Sequence, residues 1–320
     1  MARSLLLLGG LLCLLPPWPA LHWPGLPAWG GLLAGVAVAL TAGNPWPART
    51  RPLVSILLAW AVAGLGAAMD LRAVVAVGLQ GFGYTAVGIT LTLALGLLLG
   101  RWLAVKGTPA LLVSLGTAIC GGSAIAAAAP VLQADEADTG VALATVFLLN
   151  AAALLLFPWV GHLLALDPHA FGLWSALAIH DTSSVVGAAS TFGPEALLVG
   201  TTTKLARALW IVPVTLALGV WMARRTAGEA RPVKAKRPWF ILGFLAAAAL
   251  VTFLPALQPA GQAVAGGARR LLVLTLFLLG LGFSRETLRT VGPRPLVHGL
   301  LLWLLVGAVT LAAIRAGWVD

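Results

Sequence analysis

Charge is what this sequence has least of. Only 9% of its 320 residues are charged, ten acidic and twenty basic, whereas a soluble domain carries about a quarter. That shortage excludes a soluble globular fold of this length, which would need far more polar surface. Cysteine is scarce too: Cys13 and Cys120 both lie inside apolar runs. No disulfide framework and no metal-ligand spacing follows from them, and both read as small membrane-buried side chains. The chain lacks a Gly-x-x-x-x-Gly-Lys-Ser/Thr loop, so it is not expected to hydrolyse ATP by itself. It also lacks His-Glu-x-x-His, Gly-x-Ser-x-Gly and suitably paired aspartates, which removes the ground for a membrane protease or lipid transferase. The expectation is a protein that is not an enzyme and carries no cofactor or metal.

What is present in abundance is apolar sequence, 60% hydrophobic with a mean hydropathy of +0.99. The runs are rich in Leu, Ala and Gly and do not alternate as barrel strands do. In lipid every backbone group must pair internally, so the reading is an all-α integral membrane protein. A span needs about 20 apolar residues. Eleven candidates follow: 4–20, 27–43, 53–69, 82–100, 109–133, 139–161, 169–190, 195–222, 238–256, 268–284 and 295–315. The first resembles a secretory leader, with Arg3 before Ser4 to Leu15. Pro16-Pro17-Trp18-Pro19 follows in place of a small-x-small cleavage site. It is read as a short span that stays attached, and without it the number is ten.

The basic residues orient the spans. With the N-terminus in the cytoplasm, fourteen of the twenty fall inside, four outside (Arg72, Arg269, Arg270, Arg315) and two, Lys204 and Arg207, within a span. This obeys the positive-inside rule and predicts a multi-pass protein of the bacterial inner membrane. The net charge of +10 therefore signals membrane orientation, and no nucleic-acid partner is expected. The charged stretch 224–237 divides the chain into an eight-span block, 1–223, and a three-span block, 238–320, which together form one membrane domain. Its basic residues are expected to face anionic lipid.

Residues 64–78 and 280–292 echo each other: each places an apolar helix before Gly-Leu-Gly, then an acid, Leu-Arg and Val-Gly. The two copies have opposed orientation in this topology, as in inverted-repeat transporters. Chance likeness of Gly/Leu-rich helices is the alternative.

Three segments carry chemistry. In the first, Gly116, Thr117, Cys120, Gly121, Gly122 and Ser123 fall in mid-span. Glycines there weaken the helix, and an unwound turn is tolerated at depth only beside protein or a wet cavity. A half-helix starting near Ser123 would aim its positive end at that cavity. Plain close packing is the alternative. In the second, His180 and Asp181 precede Thr182, Ser183 and Ser184. Intramembrane ionisable groups are costly and face a cavity or a partner, and a histidine can carry a proton near neutral pH. In the third, Lys204 and Arg207 are three apart and share a helical face. Two cations against one acid favour an anionic ligand. The competing reading pairs Lys204 with Asp181 and has Arg207 cap carbonyls. Asn150 is interhelical glue or part of the site.

The stretches Gly116-Thr-Ala-Ile-Cys-Gly-Gly-Ser-Ala-Ile-Ala-Ala, His180-Asp-Thr-Ser-Ser-Val-Val and Lys204-Leu-Ala-Arg resemble the signature segments of YeiH-type bacterial membrane proteins, labelled sulfate exporters. The family commonly reads His-Glu where this chain has His180-Asp181. The resemblance implies an inner-membrane exporter, of sulfate by its label. It also implies an architecture like the bile-acid symporter and sodium/proton antiporter folds, with crossed broken helices. The expected function is secondary transport of a small anion by alternating access. Lys204 and Arg207 would neutralise the substrate, with Thr117, Cys120, Gly121, Gly122, Ser123, Thr182 and Ser183 around it. His180, Asp181 and Asn150 would couple a proton or sodium ion. Alternatives are a cation/proton antiporter using Asp181 and a non-transporting sensor, scaffold or enzyme. Lipid is the expected partner, and a homo-oligomer is compatible.

Overall fold

A computed structural model describes residues 2–15, 26–105, 107–225, 239–283 and 292–319. Most of these residues are helical, with no strand among them. The helices are α1 (Ala2–Leu14), α2 (Ala28–Thr41), α3 (Pro47–Leu65), α4 (Leu71–Trp102), α5 (Thr108–Ala118), α6 (Gly122–Ala128) and α7 (Glu136–Leu163). They continue as α8 (Pro168–Ala178), α9 (Thr182–Phe192), α10 (Pro194–Leu209), α11 (Ile211–Arg225), α12 (Trp239–Phe253), α13 (Gln258–Gly280) and α14 (Pro293–Arg315).

Among the described residues, six stretches are long and apolar enough to cross a membrane: Pro47–Ala68, Leu71–Trp102, Ala137–Leu163, Pro194–Met222, Pro255–Gly280 and Pro293–Arg315. Arg3–Leu14, Ala28–Thr41, Thr108–Ala118 and Trp239–Phe253 are shorter apolar helices. The span expected at 268–284 begins ten residues earlier, at Gln258. Arg269 and Arg270 therefore stand within α13 and do not form the outside loop expected of them. Their aliphatic stems let them do so: Arg269 is exposed, and Arg270 donates from Nη1 to the Leu26 carbonyl at 3.3 Å. The linker beyond Arg225, residues 16–25 and most of the second copy of the echo (284–291) lie outside the described residues.

The chain forms two compact units, interleaved in sequence: 1–75 with 238–289, and 76–237 with 290–320. In the first, α13 packs on α3, α2 and α1. The approach of α2 to α13 is glycine-made. A methyl on Gly35 would strike the Phe277 carbonyl and come within 3.0 Å of the Gly280 Cα. Small residues of this kind let helices associate where lipid supplies no hydrophobic drive. Around the contact Leu6, Cys13, Val273, Phe277, Leu278 and Leu281 form an apolar core.

In the second unit, α10 packs on α8 and α9, α7 on α5 and α9, and α14 on α8, α5 and α7. Here an apolar cluster around Leu112, Leu115, Ile125 and Val146 stands beside a polar interior. The side chains α10 turns inward include Thr201, Thr202, Thr203, Lys204 and Arg207, while Leu216 and Val220 of α11 are exposed. That inversion is expected when the solvent is hydrocarbon.

Candidate functional site

Two helices of the second unit are interrupted. Between α5 and α6, Ile119 leaves the helical region (φ −117°, ψ −87°) and Gly121 adopts φ 66°, ψ −128°. That conformation suits glycine alone, since a side chain would be strained there. Between α8 and α9, Ile179 (φ −79°, ψ 136°) and Asp181 (φ −101°, ψ 160°) are extended. The two interruptions touch: a Cβ on Gly121 would lie 3.1 Å from the Asp181 Cβ.

An interrupted helix strands the carbonyls of its last turn and gathers partial negative charge there. Lys204 and Arg207, both on α10, meet that demand. Arg207 donates from Nε to the Ala118 carbonyl at 2.6 Å and from Nη2 to that of Thr117 at 3.1 Å. Its Nη1 donates to the Leu177 carbonyl and to that of Ala176 at 3.3 Å. Lys204 Nζ donates to the Ile179 carbonyl at 2.6 Å and to that of Ala176 at 3.2 Å. One guanidinium thus joins the C-terminal ends of α5 and α8. Lys204 is 0% exposed and Arg207 2%, and among the described residues neither makes an ion pair. Carbonyl capping by Arg207 was the competing sequence reading; Lys204 caps carbonyls as well, in place of pairing with Asp181.

The opposite polarity is met on α9. Asp181 is its N-cap: Oδ1 accepts from the Ser184 N–H at 2.6 Å, and Oδ2 accepts from the Ser183 hydroxyl at 2.8 Å. The extended backbone before it is held from α7, where Asn150 Oδ1 accepts from the His180 and Asp181 N–H groups at 3.2 and 3.3 Å. Asn150 is therefore more than glue between helices, because it fixes the shape of the interruption.

Asn150, His180, Asp181, Ser183, Lys204, Arg207, Gly121 and the Thr117 carbonyl are joined by these contacts. Cys120 is buried between Ile119 and Gly121, and Thr182 is buried in the first turn of α9. The Thr117 hydroxyl is used within its own helix, donating to the Val113 carbonyl at 2.9 Å. Two expected members fall elsewhere. Gly122 is half-buried against Phe147, and Ser123 is exposed. The turn from Gly121 to Ser123 thus gives Gly121 to the junction and turns the next two residues away.

Sequence reasoning missed Trp303 on α14, whose ring centroid lies 6.5 Å from that of His180. Nothing in an apolar span distinguishes such a tryptophan. It also passed over Thr201, Thr202 and Thr203, whose buried hydroxyl oxygens have no hydrogen-bond partner. Among the described residues no group of three or more His, Cys, Asp or Glu could hold a metal ion. A cavity of about 320 Å³ is lined by Asp167, His169, Ala170, Leu173, Ile314 and Val319, none of them a junction residue.

A family model described as Conserved hypothetical protein 698 matches residues 48–299. A UPF0324 membrane protein of Bdellovibrio bacteriovorus is 54% identical over 298 residues, covering 93% of this chain and 92% of that protein. One of Geobacter sulfurreducens is 50% identical over 287 residues, 90% of each chain. One of Bacteroides thetaiotaomicron is 43% identical over 300 residues, 91% of this chain and 89% of its own. No solved structure matches.

Proposed function

Because this chain belongs to the Conserved hypothetical protein 698 family, whose relatives here are bacterial membrane proteins, we propose that it is a secondary transporter of a small anion, working by alternating access in the inner membrane. The observation that carries the reading is the junction of two interrupted helices spanned by two buried cations. Interrupted helices at mid-bilayer are tolerated where they line a site. Lys204 and Arg207 face one acid, Asp181, at this place, and an anion restores the balance. As a carrier the protein turns nothing over and depends on an ion or substrate gradient.

The chain count supports such an architecture. Taking α5–α6 and α8–α9 as one passage each, with α1, α2 and α12 added to the six long stretches, gives eleven passages. The N-terminus is then cytoplasmic by the distribution of basic residues. Inverted repetition, of the kind the symporter and antiporter likeness implies, rests on the echo of 64–78 in 280–292. Sulfate is the label of the YeiH-type family and one anion to test.

The purified protein in proteoliposomes should carry an anion, and Lys204→Ala should abolish that flux; unchanged flux refutes the role of Lys204. Asp181 at the junction favours cation/proton antiport as the second reading. Its two oxygens are already engaged by α9, which leaves it little capacity to hold a cation. Sodium- or potassium-driven proton movement that Asp181→Asn stops would establish that reading in place of the first.

A further inference from the structure

Beside the junction, buried nitrogen atoms on three elements are left without partners. They are Asn150 Nδ2 on α7, both ring nitrogens of His180 at the α8–α9 interruption, and Trp303 Nε1 on α14. Asn150 and His180 are 0% exposed and Trp303 is 5% exposed. Leaving such a group unpaired costs about 1–3 kcal/mol, so this concentration calls for a ligand.

The three residues are neighbours. Asn150 Oδ1 accepts from the His180 backbone, and the Trp303 ring is 6.5 Å from the imidazole. Phe157, seven residues after Asn150 on α7, stacks on Trp303 at 5.8 Å and on Trp174 at 4.1 Å, which fixes the plane of the indole. The Asn150 amide has a defined sense, because its oxygen takes two backbone N–H groups and its nitrogen is what remains. Asn150 Nδ2 and Trp303 Nε1 only donate, and a neutral imidazole adds one donor and one acceptor. A ligand that satisfies them is rich in acceptors, as a carboxylate or small oxyanion is.

Its charge follows from the surroundings. Lys204 and Arg207 supply two positive charges, Asp181 one negative. The C-terminal ends of α5 and α8 each present roughly half a negative charge, and the N-termini of α6 and α9, which begin at the same two interruptions, each roughly half a positive one. The remainder is a positive excess of about one unit. One negative charge neutralises it, whereas two would leave a buried negative excess with no cation free to reach it. The donors of both cations are directed at carbonyls.

We infer that Asn150, His180 and Trp303 form the substrate-contacting site, and that it takes a singly charged carboxylate or oxyanion in preference to a doubly charged one such as sulfate. This rests on the anion-carrier reading and narrows it. Lys204 and Arg207 then act as positioning residues that set the local charge without touching the substrate.

Thermal-shift titration of the detergent-purified protein with sodium formate, sodium nitrate and sodium sulfate at equal ionic strength tests the inference. Formate or nitrate should stabilise with a half-saturation at least tenfold below that of sulfate. Trp303→Phe keeps an aromatic six-membered ring but removes the pyrrole half of the indole with its N–H, so it should raise that half-saturation by about tenfold or more, while the ligand-free melting temperature falls only by what the smaller buried ring costs. Asn150→Asp keeps the oxygen that accepts from the His180 and Asp181 N–H groups and removes the amide donor, so it should weaken anion binding from α7 as well. Sulfate binding as tightly as the monoanions overturns the inference and leaves the carrier reading standing. So does wild-type affinity in Trp303→Phe together with loss of binding in Lys204→Ala. If no anion shifts the melting temperature and none crosses proteoliposomes, the carrier reading falls and this inference falls with it.

Discussion

The two compact units solve the problem of holding helices together in lipid by different means. In the unit of 1–75 and 238–289 the described interior is apolar. Its buried hydroxyls, Thr50 and Thr275, bond to carbonyls of their own helices, and glycines bring α2 and α13 together. In the unit of 76–237 and 290–320 the interior holds Asn150, His180, Asp181, Lys204, Arg207 and His298. Packing suffices for association in the first. The second carries charge and stranded backbone in its core, an expensive arrangement that stability alone does not require. The difference separates a part built for cohesion from a part built for chemistry.

Mutations on the two sides should expose that contrast. The largest effect is expected from Arg207→Ala, which strands carbonyls of both α5 and α8 at once. Each buried carbonyl left unsatisfied costs about 1–3 kcal/mol, and the loss should appear in denaturant unfolding in micelles, with loss of flux. Arg207→Lys should recover part of the stability, since an ammonium lacks the planar fork. Next comes Gly35→Ala in the cohesive unit. Forcing a methyl against the Phe277 carbonyl should cost about 1–3 kcal/mol while the anion-dependent melting shift persists. If that shift vanished with Gly35→Ala, the division of labour would be wrong. The smallest effect belongs to Ser183→Ala, which takes one hydrogen bond from Asp181 Oδ2. A loss of about 1.5 kcal/mol is expected, with the fold intact by circular dichroism.

Much of this was legible in the sequence because the membrane leaves few options. Apolar runs became helices, and mid-span Gly121 marked one interruption, while His180 and Asp181 stood out as ionisable groups at the place where the second falls. The ionisable residues Lys204 and Arg207 stood out for being where charge is costly. What the sequence could not give was the partner of each. Backbone carbonyls carry no signature, so although capping by Arg207 stood as the competing reading, the carbonyls of Thr117, Ala118, Ala176, Leu177 and Ile179 could not be named, and Lys204 was paired with Asp181 in that reading. Trp303 was hidden because tryptophan is ordinary in an apolar span. Ser123 was read into the site from its position after Gly121, whereas the chain, once past the φ 66° turn, directs it outward. Arg269 and Arg270 misled the span boundary because a charged pair reads as a helix limit, although their stems let α13 run on.

The guanidinium of Arg207 has a mechanical consequence. It ties the severed ends of α5 and α8 like a crossbar, so neither stub can slide by a turn without parting bonds on both. Displacement of one drags the other.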